Sequence, residues 1–512
     1  MSLFSKSLGQ AHVRLVEAGA AFAVAVVIAG CGAGYRPVVT PINPSGPAAQ
    51  PSAFAAVVSS PSPTTPGIAT IIDYAGDTIV AQATIGPGPT SFTVDESGTS
   101  GYTVNSDGTL TFFPVSSTLQ TKNVTYSTLA TGAQPIGLFS PSAGLWVSDL
   151  TGNQADGNQA DVLTGSPQTY KLSVPVAPTP VTIIGPPTIG ERNYAITQGA
   201  VTNVQCNLAP TTGPLGEADG IETTSYTVSA HLPLGKCPVY AVQSTDARRL
   251  FVMNRGDDTI TVINSQNNTL DACTPFLNQT GQTVTCHPTL PLSLTAVAAL
   301  NAASAGSGNP PNGTTGMTAI AGPIYAEYNA ATSQLVVANY DGGTVSVIDV
   351  SLDEYGNDSS TFGTTYTIPV GTNPASVTAL YDGSRAYTAN QNDGTVTIVN
   401  LTSHSVEKTV PVIGHPRTVV SVQNSLYGKV YIAAPDSPYL TILRTDQDIV
   451  DTTVLVEGNI IDVRTSNQNG VSANVNNVSR NPGYGQPCYL PPALMASTYS
   501  ATYTLANCQT LP

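Results

Sequence analysis

The sequence predicts an all-β fold, a β-propeller of four-stranded antiparallel blades, seven or eight in number and closed by pairing N- and C-terminal strands. Three observations predict it. Asn339-Tyr-Asp-Gly-Gly-Thr344-Val-Ser-Val-Ile-Asp349 recurs as Asn390-Gln-Asn-Asp-Gly-Thr395-Val-Thr-Ile-Val-Asn400, with divergent copies at Asn105–Thr109 and Asn254–Thr259. Such self-similarity marks an array of one small unit. Short apolar runs are cut by Gly, Asn and Asp turns throughout, the pattern of strands with almost no helix. A full unit between 374 and 414 divides into strands A (375–381), B (386–390), C (395–400) and D (406–412), which is the size of one blade.

The remaining units follow in order. Seven whole copies begin near 87, 134, 179, 237, 322, 374 and 415, and a proline heads strand A in most of them (Pro89, Pro135, Pro180, Pro238, Pro374, Pro416). Two fragments are left over. Ile68–Asp73 with Thr78–Ile85 reads as strands C and D, and Asn459–Thr465 as strand A of another unit. Joined, they complete a shared blade, and closure removes the exposed sheet edges that invite aggregation. Counted literally this gives eight blades; misreading one of the weaker units, 137–176 or 180–234, would leave seven.

Composition bounds the function. Charged residues are only 10 %, hydrophobic residues 41 %, and the formal charge is −15. That is ample apolar content for a core. The negative balance argues against nucleic acid or an anionic membrane surface as partner, because both require basic patches.

The ends of the chain read differently. Lys6 and Arg14 precede the apolar run 18–30, too short for a confident span, so 1–30 reads as a signal segment. Its end, Ile28-Ala29-Gly30-Cys31, resembles the lipobox of bacterial lipoproteins, which implies lipid on Cys31 and attachment to a membrane. Gly32 after it, rather than Asp, points by analogy with enteric lipoproteins to the outer membrane or cell surface over the inner membrane. Residues 31–66, rich in Pro, Ser, Ala and Gly, read as a tether, 67–470 as the propeller and 471–512 as a C-terminal extension with a disulfide. With Cys31 assigned to lipid, Cys206, Cys237, Cys273, Cys286, Cys488 and Cys508 form an even set in an exported chain, which favours disulfides. Of the fifteen pairings, the sequential one (206–237, 273–286, 488–508) closes local loops and is preferred. No metal site or other cofactor is expected: there is no C-x-x-C, and His231, His287, His404 and His415 are scattered at predicted strand ends or turns and read as surface residues.

The strand-B segments YTVNSDGTLTFF, FVMNRGDDTITVIN, VVANYDGGTVSVID and YTANQNDGTVTIVN resemble the YVTN family of β-propeller repeats. The match is good over 320–458, fair at 66–131 and 237–264, and weak over 132–236. The family is usually seven-bladed. It includes surface proteins and relatives of lactonase, haem d1 and amine-dehydrogenase propellers, so the resemblance implies fold more than function.

Antiparallel order places the B–C and D–A connections on one face and the A–B and C–D turns on the other. Asn105, Asn254, Asn339 and Asn390 therefore lie around one face, as do Gly152–Asp161, where Gly-Asn-Gln-Ala-Asp stands twice in tandem, the stretch 199–224, and the connection 292–321. Rigid scaffolds present function in such loops, so this face is the candidate surface for a protein or carbohydrate ligand. Each Asn is also what a turn before Gly requires for its own geometry. Trp146 falls in a strand B and reads as blade packing. No linear catalytic motif is present, so no catalytic residue is assigned. The reading is a cell-envelope binding or scaffold module; the alternatives are a lactonase-like hydrolase and a propeller subunit of a periplasmic redox assembly.

Overall fold

The computed structural model describes residues 53–141, 144–150, 158–186, 192–199, 215–278, 281–303 and 313–466. The signal segment, Cys31, Cys206, Cys488, Cys508 and the C-terminal extension lie outside the described residues. Eight blades of four antiparallel strands follow one another; in blade 5 a further short strand (Thr289–Pro291) also pairs with strand C, and in blade 6 Thr314–Thr315 adds parallel to strand D. Blades 2 to 8 occupy 89–127, 135–175, 180–236, 238–291, 323–369, 374–411 and 418–455.

Blade 1 closes the ring. Its innermost strand A is Asn459–Thr465, paired with strand B, Phe54–Ser60, and followed outward by C (Pro66–Asp73) and D (Ile79–Pro87). The leftover fragments thus share one blade as the sequence predicts, with Phe54–Ser60 between them, and both weak units are genuine blades, which settles the number at eight. Three boundaries are corrected. Strand B of blade 1 falls within 31–66, read as tether, so the fold begins before residue 67; its all-apolar stretch Phe54-Ala-Ala-Val-Val58 is buried on both faces and shows no alternation to betray a strand. The stretch 199–224 contains strand C of blade 4, Leu215–Glu222. The second tandem copy, from Asn158 on, belongs to strand C of blade 3 rather than to a loop.

Burial follows radial position. Innermost strands such as Pro374–Ala379 are buried at every residue, whereas the outermost Ser405–Pro411 has one buried residue in seven. Inner strands are tied laterally by short polar side chains. Ser91 donates to the Ile136 carbonyl (2.7 Å), Ser376 to that of Arg417 (2.8 Å), and Thr418 to Asp462 Oδ1 (2.8 Å). Aliphatic and aromatic side chains fill the space between blades; Trp146 is among them, 2 % exposed, its ring 6.1 Å from that of Tyr226.

A second tie recurs on the opposite rim, where a cation opening strand B reaches a carbonyl in the C–D turn of the next blade. Arg192 donates to Ser265 O (3.2 Å), Arg249 to Gly356 O (3.3 Å), Arg385 to Thr445 O (2.7 Å) and Lys429 to Tyr74 O (2.6 Å). An aromatic residue stands two positions after each cation: Tyr194, Phe251, Tyr387, Tyr431. This Arg/Lys-x-aromatic signature is written in the sequence, but it carries its meaning only once the next blade is in place.

Candidate functional site

The B–C turns of the repeat are built from strand-end asparagines. Asn390 is fully buried, and its amide donates to Thr395 Oγ1 (3.0 Å) and Thr397 Oγ1 (2.8 Å). Asn105, Asn254 and Asn339 do the same with Thr109 and Thr111, Thr259 and Thr261, and Thr344 and Ser346, and none is more than 2 % exposed. The structure therefore sets these four side chains inside the face rather than upon it. Their amides are spent on strand C. Arg255, in the blade 5 turn, makes a bidentate pair with Asp341 of blade 6 (2.8 and 2.9 Å), which stiffens the face between blades. Connections longer than the regular turn leave this face in three consecutive blades: B–C of blades 3 and 4, and D–A of blade 5, where helix α1 (Leu294–Ala303) lies.

Blades 3 and 4 depart from the repeat at its polar positions. In blade 3, Asp149 stands where blades 2, 5, 6 and 7 have the asparagine, and Asp161 where they have the second threonine or serine. Both are buried; Asp149 accepts from the Gln134 amide (2.5 Å) and Asp161 from Ser173 Oγ (2.5 Å). Burial, and then the neighbouring Asp161, push Asp149 up to about 7. A carboxyl raised on folding is most stabilising when protonated in both states, and that contribution is lost as pH rises from about 4 to about 7. Asp149→Asn installs the residue of blades 2, 5, 6 and 7 and lets an amide donate to Asp161. It is expected to raise stability above pH 7 by about 1–3 kcal/mol, at ~1.4 kcal/mol per pH unit, and to flatten the decline between pH 4 and 7. Urea titrations at pH 4, 6 and 8 would check this; an equal wild-type advantage at every pH would refute it.

In blade 4 the departure is larger. Thr395, Thr397 and Thr409 of blade 7 correspond in register to Glu217, Asp219 and His231. The His231 Nδ1 lies 2.7 Å from Glu217 Oε1 and 2.7 Å from Asp219 Oδ1, while Asp219 Oδ2 accepts from the Ala177 amide (2.6 Å). The Asp219 side chain is buried, and that of His231 is 65 % exposed. Burial and Glu217 raise Asp219 to about 6, and hydrogen bonds to Glu217 and Asp219 raise His231. Sequence spacing hid this group because its members sit on two strands. The signal was Glu-x-Asp in one strand and a histidine twelve residues on, brought opposite Asp219 by the hairpin.

Of the histidines read as surface residues at strand ends or turns, His404 lies in the C–D turn of blade 7 and His415 in the connection before blade 8, both half-buried, whereas the other two differ. His231 is mid-strand, in Thr227–Lys236. His287 is buried, its Nδ1 2.8 Å from Asp358 Oδ2, in a network where Arg249 Nη2 reaches Asp271 and Asp358 at 3.2 Å each. Burial and then Asp358 push Asp271 up to about 7. This network sits beside the Cys273–Cys286 disulfide and fixes the insertion that it closes to the C–D loop of blade 6, so the A–B/C–D face is elaborated too. Cys237 is buried and disulfide-bonded, with its partner outside the described residues. His404 stacks on Tyr366 at 3.7 Å, and His415 Nδ1 meets Asp436 at 2.6 Å.

The fold defines the class: an eight-bladed β-propeller with lengthened connections on both faces, those of the B–C/D–A face leaving from three consecutive blades. The sequence matches no model of a known protein family, and no curated protein matches it either. Among solved structures it is similar to apo AztD from Citrobacter koseri, at 13% identity over 81% of this chain and 97% of that one, with a TM-score of 0.51. A second AztD structure from the same organism gives 13% over 82% and 99%, also at 0.51. A putative 6-phosphogluconolactonase from Bacteroides fragilis gives 13% over 82% and 100% at 0.47. At such identity the AztD likeness shows the fold alone.

Proposed function

We propose that the chain is an exported, lipid-anchored propeller of the YVTN-repeat type that binds a protein or carbohydrate ligand of the cell envelope through its B–C/D–A face. The observation that carries this reading is the gathering of long connections from blades 3, 4 and 5 on one face of a ring whose regular turns are locked by buried Asn amides and the Arg255–Asp341 pair. A rigid body presenting variable loops is how such scaffolds bind. The lipobox-like Ile28-Ala-Gly-Cys31 supports the anchor.

The anchor is tested by fractionation of cells expressing the full chain. Wild type is expected with membranes and Cys31→Ser in the soluble fraction; unchanged fractionation would refute the anchor. The binding reading is tested by a lactone screen of the purified chain, with turnover expected to be absent. Turnover abolished by a carboxylate substitution on the loop face would replace binding with hydrolysis.

A further inference from the structure

We propose that Glu217, Asp219 and His231 form a binding site for one divalent transition-metal ion, with zinc the best match. Their ligand atoms lie within 4.8 Å of one another, the only such set of three among the described residues. Two independent features distinguish the set from a chance cluster on a strand. The first is its place in the repeat. In blade 7 the same three positions hold threonines, with Thr397 Oγ1 and Thr409 Oγ1 3.3 Å apart; in blade 4 all three are replaced at once by residues able to bind metal. The second is its support. The Ala177 amide holds Asp219 Oδ2 at 2.6 Å and leaves Oδ1 facing His231, the kind of hydrogen bond that orients a ligating carboxylate.

The donor set decides the metal. One imidazole nitrogen with two carboxylate oxygens suits zinc, whose catalytic-type sites take three protein ligands and leave a fourth position to water or substrate. Calcium needs six to eight oxygens and gains nothing from an imidazole. Access is open at the outer edge, since the His231 and Glu217 side chains are 65% and 36% exposed. The ion would take the place of the contacts between Nδ1 and the two carboxylates and offset the repulsion between them. The group stands near the start of strand C, on the loop-face half of blade 4, so a bound ion with an open coordination position would sit at the rim of that surface.

The full chain, freed of any affinity tag, is titrated with Zn²⁺ and separately with Co²⁺. One equivalent of Zn²⁺ is expected to bind. Co²⁺ should give d–d absorption without the thiolate charge-transfer band that cysteine ligation produces. His231→Ala, at an exposed position, and Glu217→Gln, at a half-buried one, are each expected to weaken Zn²⁺ binding by at least about tenfold with an unchanged circular dichroism spectrum. Asp219→Asn, which preserves shape, is expected to do the same. No uptake by the wild type would overturn the proposal, leaving the three groups a hydrogen-bonded triad. Uptake undiminished in His231→Ala and Glu217→Gln, or a thiolate band with Co²⁺, would overturn it equally by placing the metal elsewhere.

Discussion

Gly86→Ala is expected to destabilise the ring by about 3–5 kcal/mol, and Gly371→Ala by a similar amount, as overpacking adds to broken buried hydrogen bonds. Each of these glycines ends the strand D region of one blade and lies against the strand-end asparagine of the next. A Cβ on Gly86 would sit 2.1 Å from Asn105 Nδ2; one on Gly371 would sit 2.5 Å from Asn390 Cγ and 2.6 Å from Asp393 Oδ2. Neither asparagine can withdraw, because its amide is held by two hydroxyls of strand C and its side chain is buried. Urea midpoints measure the loss. Gly137→Ala, whose nearest contacts would be an ordinary 3.4 Å, serves as the control and is expected to cost under about 1 kcal/mol. Adding Asn390→Ala to Gly371→Ala should recover part of the loss, since the two side chains compete for one space. Strict additivity would show that the glycine acts through its backbone instead.

Lys429→Met is expected to cost about 3–5 kcal/mol near neutral pH, the range for breaking one side of a buried ion pair. Lys429 is fully buried in strand B of blade 8, and its Nζ donates to Asp77 Oδ1 (2.6 Å) and to the Tyr74 carbonyl (2.6 Å), with the Tyr74 ring centroid 5.0 Å away. Asp77 and Tyr74 belong to the C–D turn of blade 1, the blade assembled from both ends of the fold. The bond thus fastens the N-terminal strands at the seam where the ring closes. Burial lowers Lys429 and raises Asp77, each against the pull of the other, so removing the cation leaves a carboxyl that can remain buried only by taking a proton. The deficit should therefore shrink on acidification. Adding Asp77→Asn should cost little more than Lys429→Met alone, whereas a double mutant losing the sum of the two singles would show that the pair does not act as a unit.

Most of the fold was legible in the sequence. The repeat at Asn339 and Asn390 gave the blade, its turn residues and the faces on which the connections fall, because turn chemistry is local: an Asn followed by Gly and Thr closes the same B–C turn wherever it stands. The leftover strands at 68–85 and 459–465 predicted the closure. The strand at 54–60 was not legible, since an innermost-but-one strand buried on both faces has no alternation to show. Leu215–Glu222 was missed for a related reason: Glu217, Asp219 and Glu222 look like loop residues until the next strand supplies His231 and the connection from blade 3 supplies Ala177.

By itself, then, the sequence determined the architecture of this protein: a repeating four-stranded unit, its turns, and a ring completed by its own ends. Periodicity and turn geometry act over a few residues, so they can be read without coordinates. The tertiary structure decided the number of blades, the burial of the four asparagines, and the partners of Lys429, Asp149 and His231. Those depend on which strand lies across from which, and on what the next blade presents. Contacts of that kind are made between residues far apart in the chain, and only the closed ring brings them together.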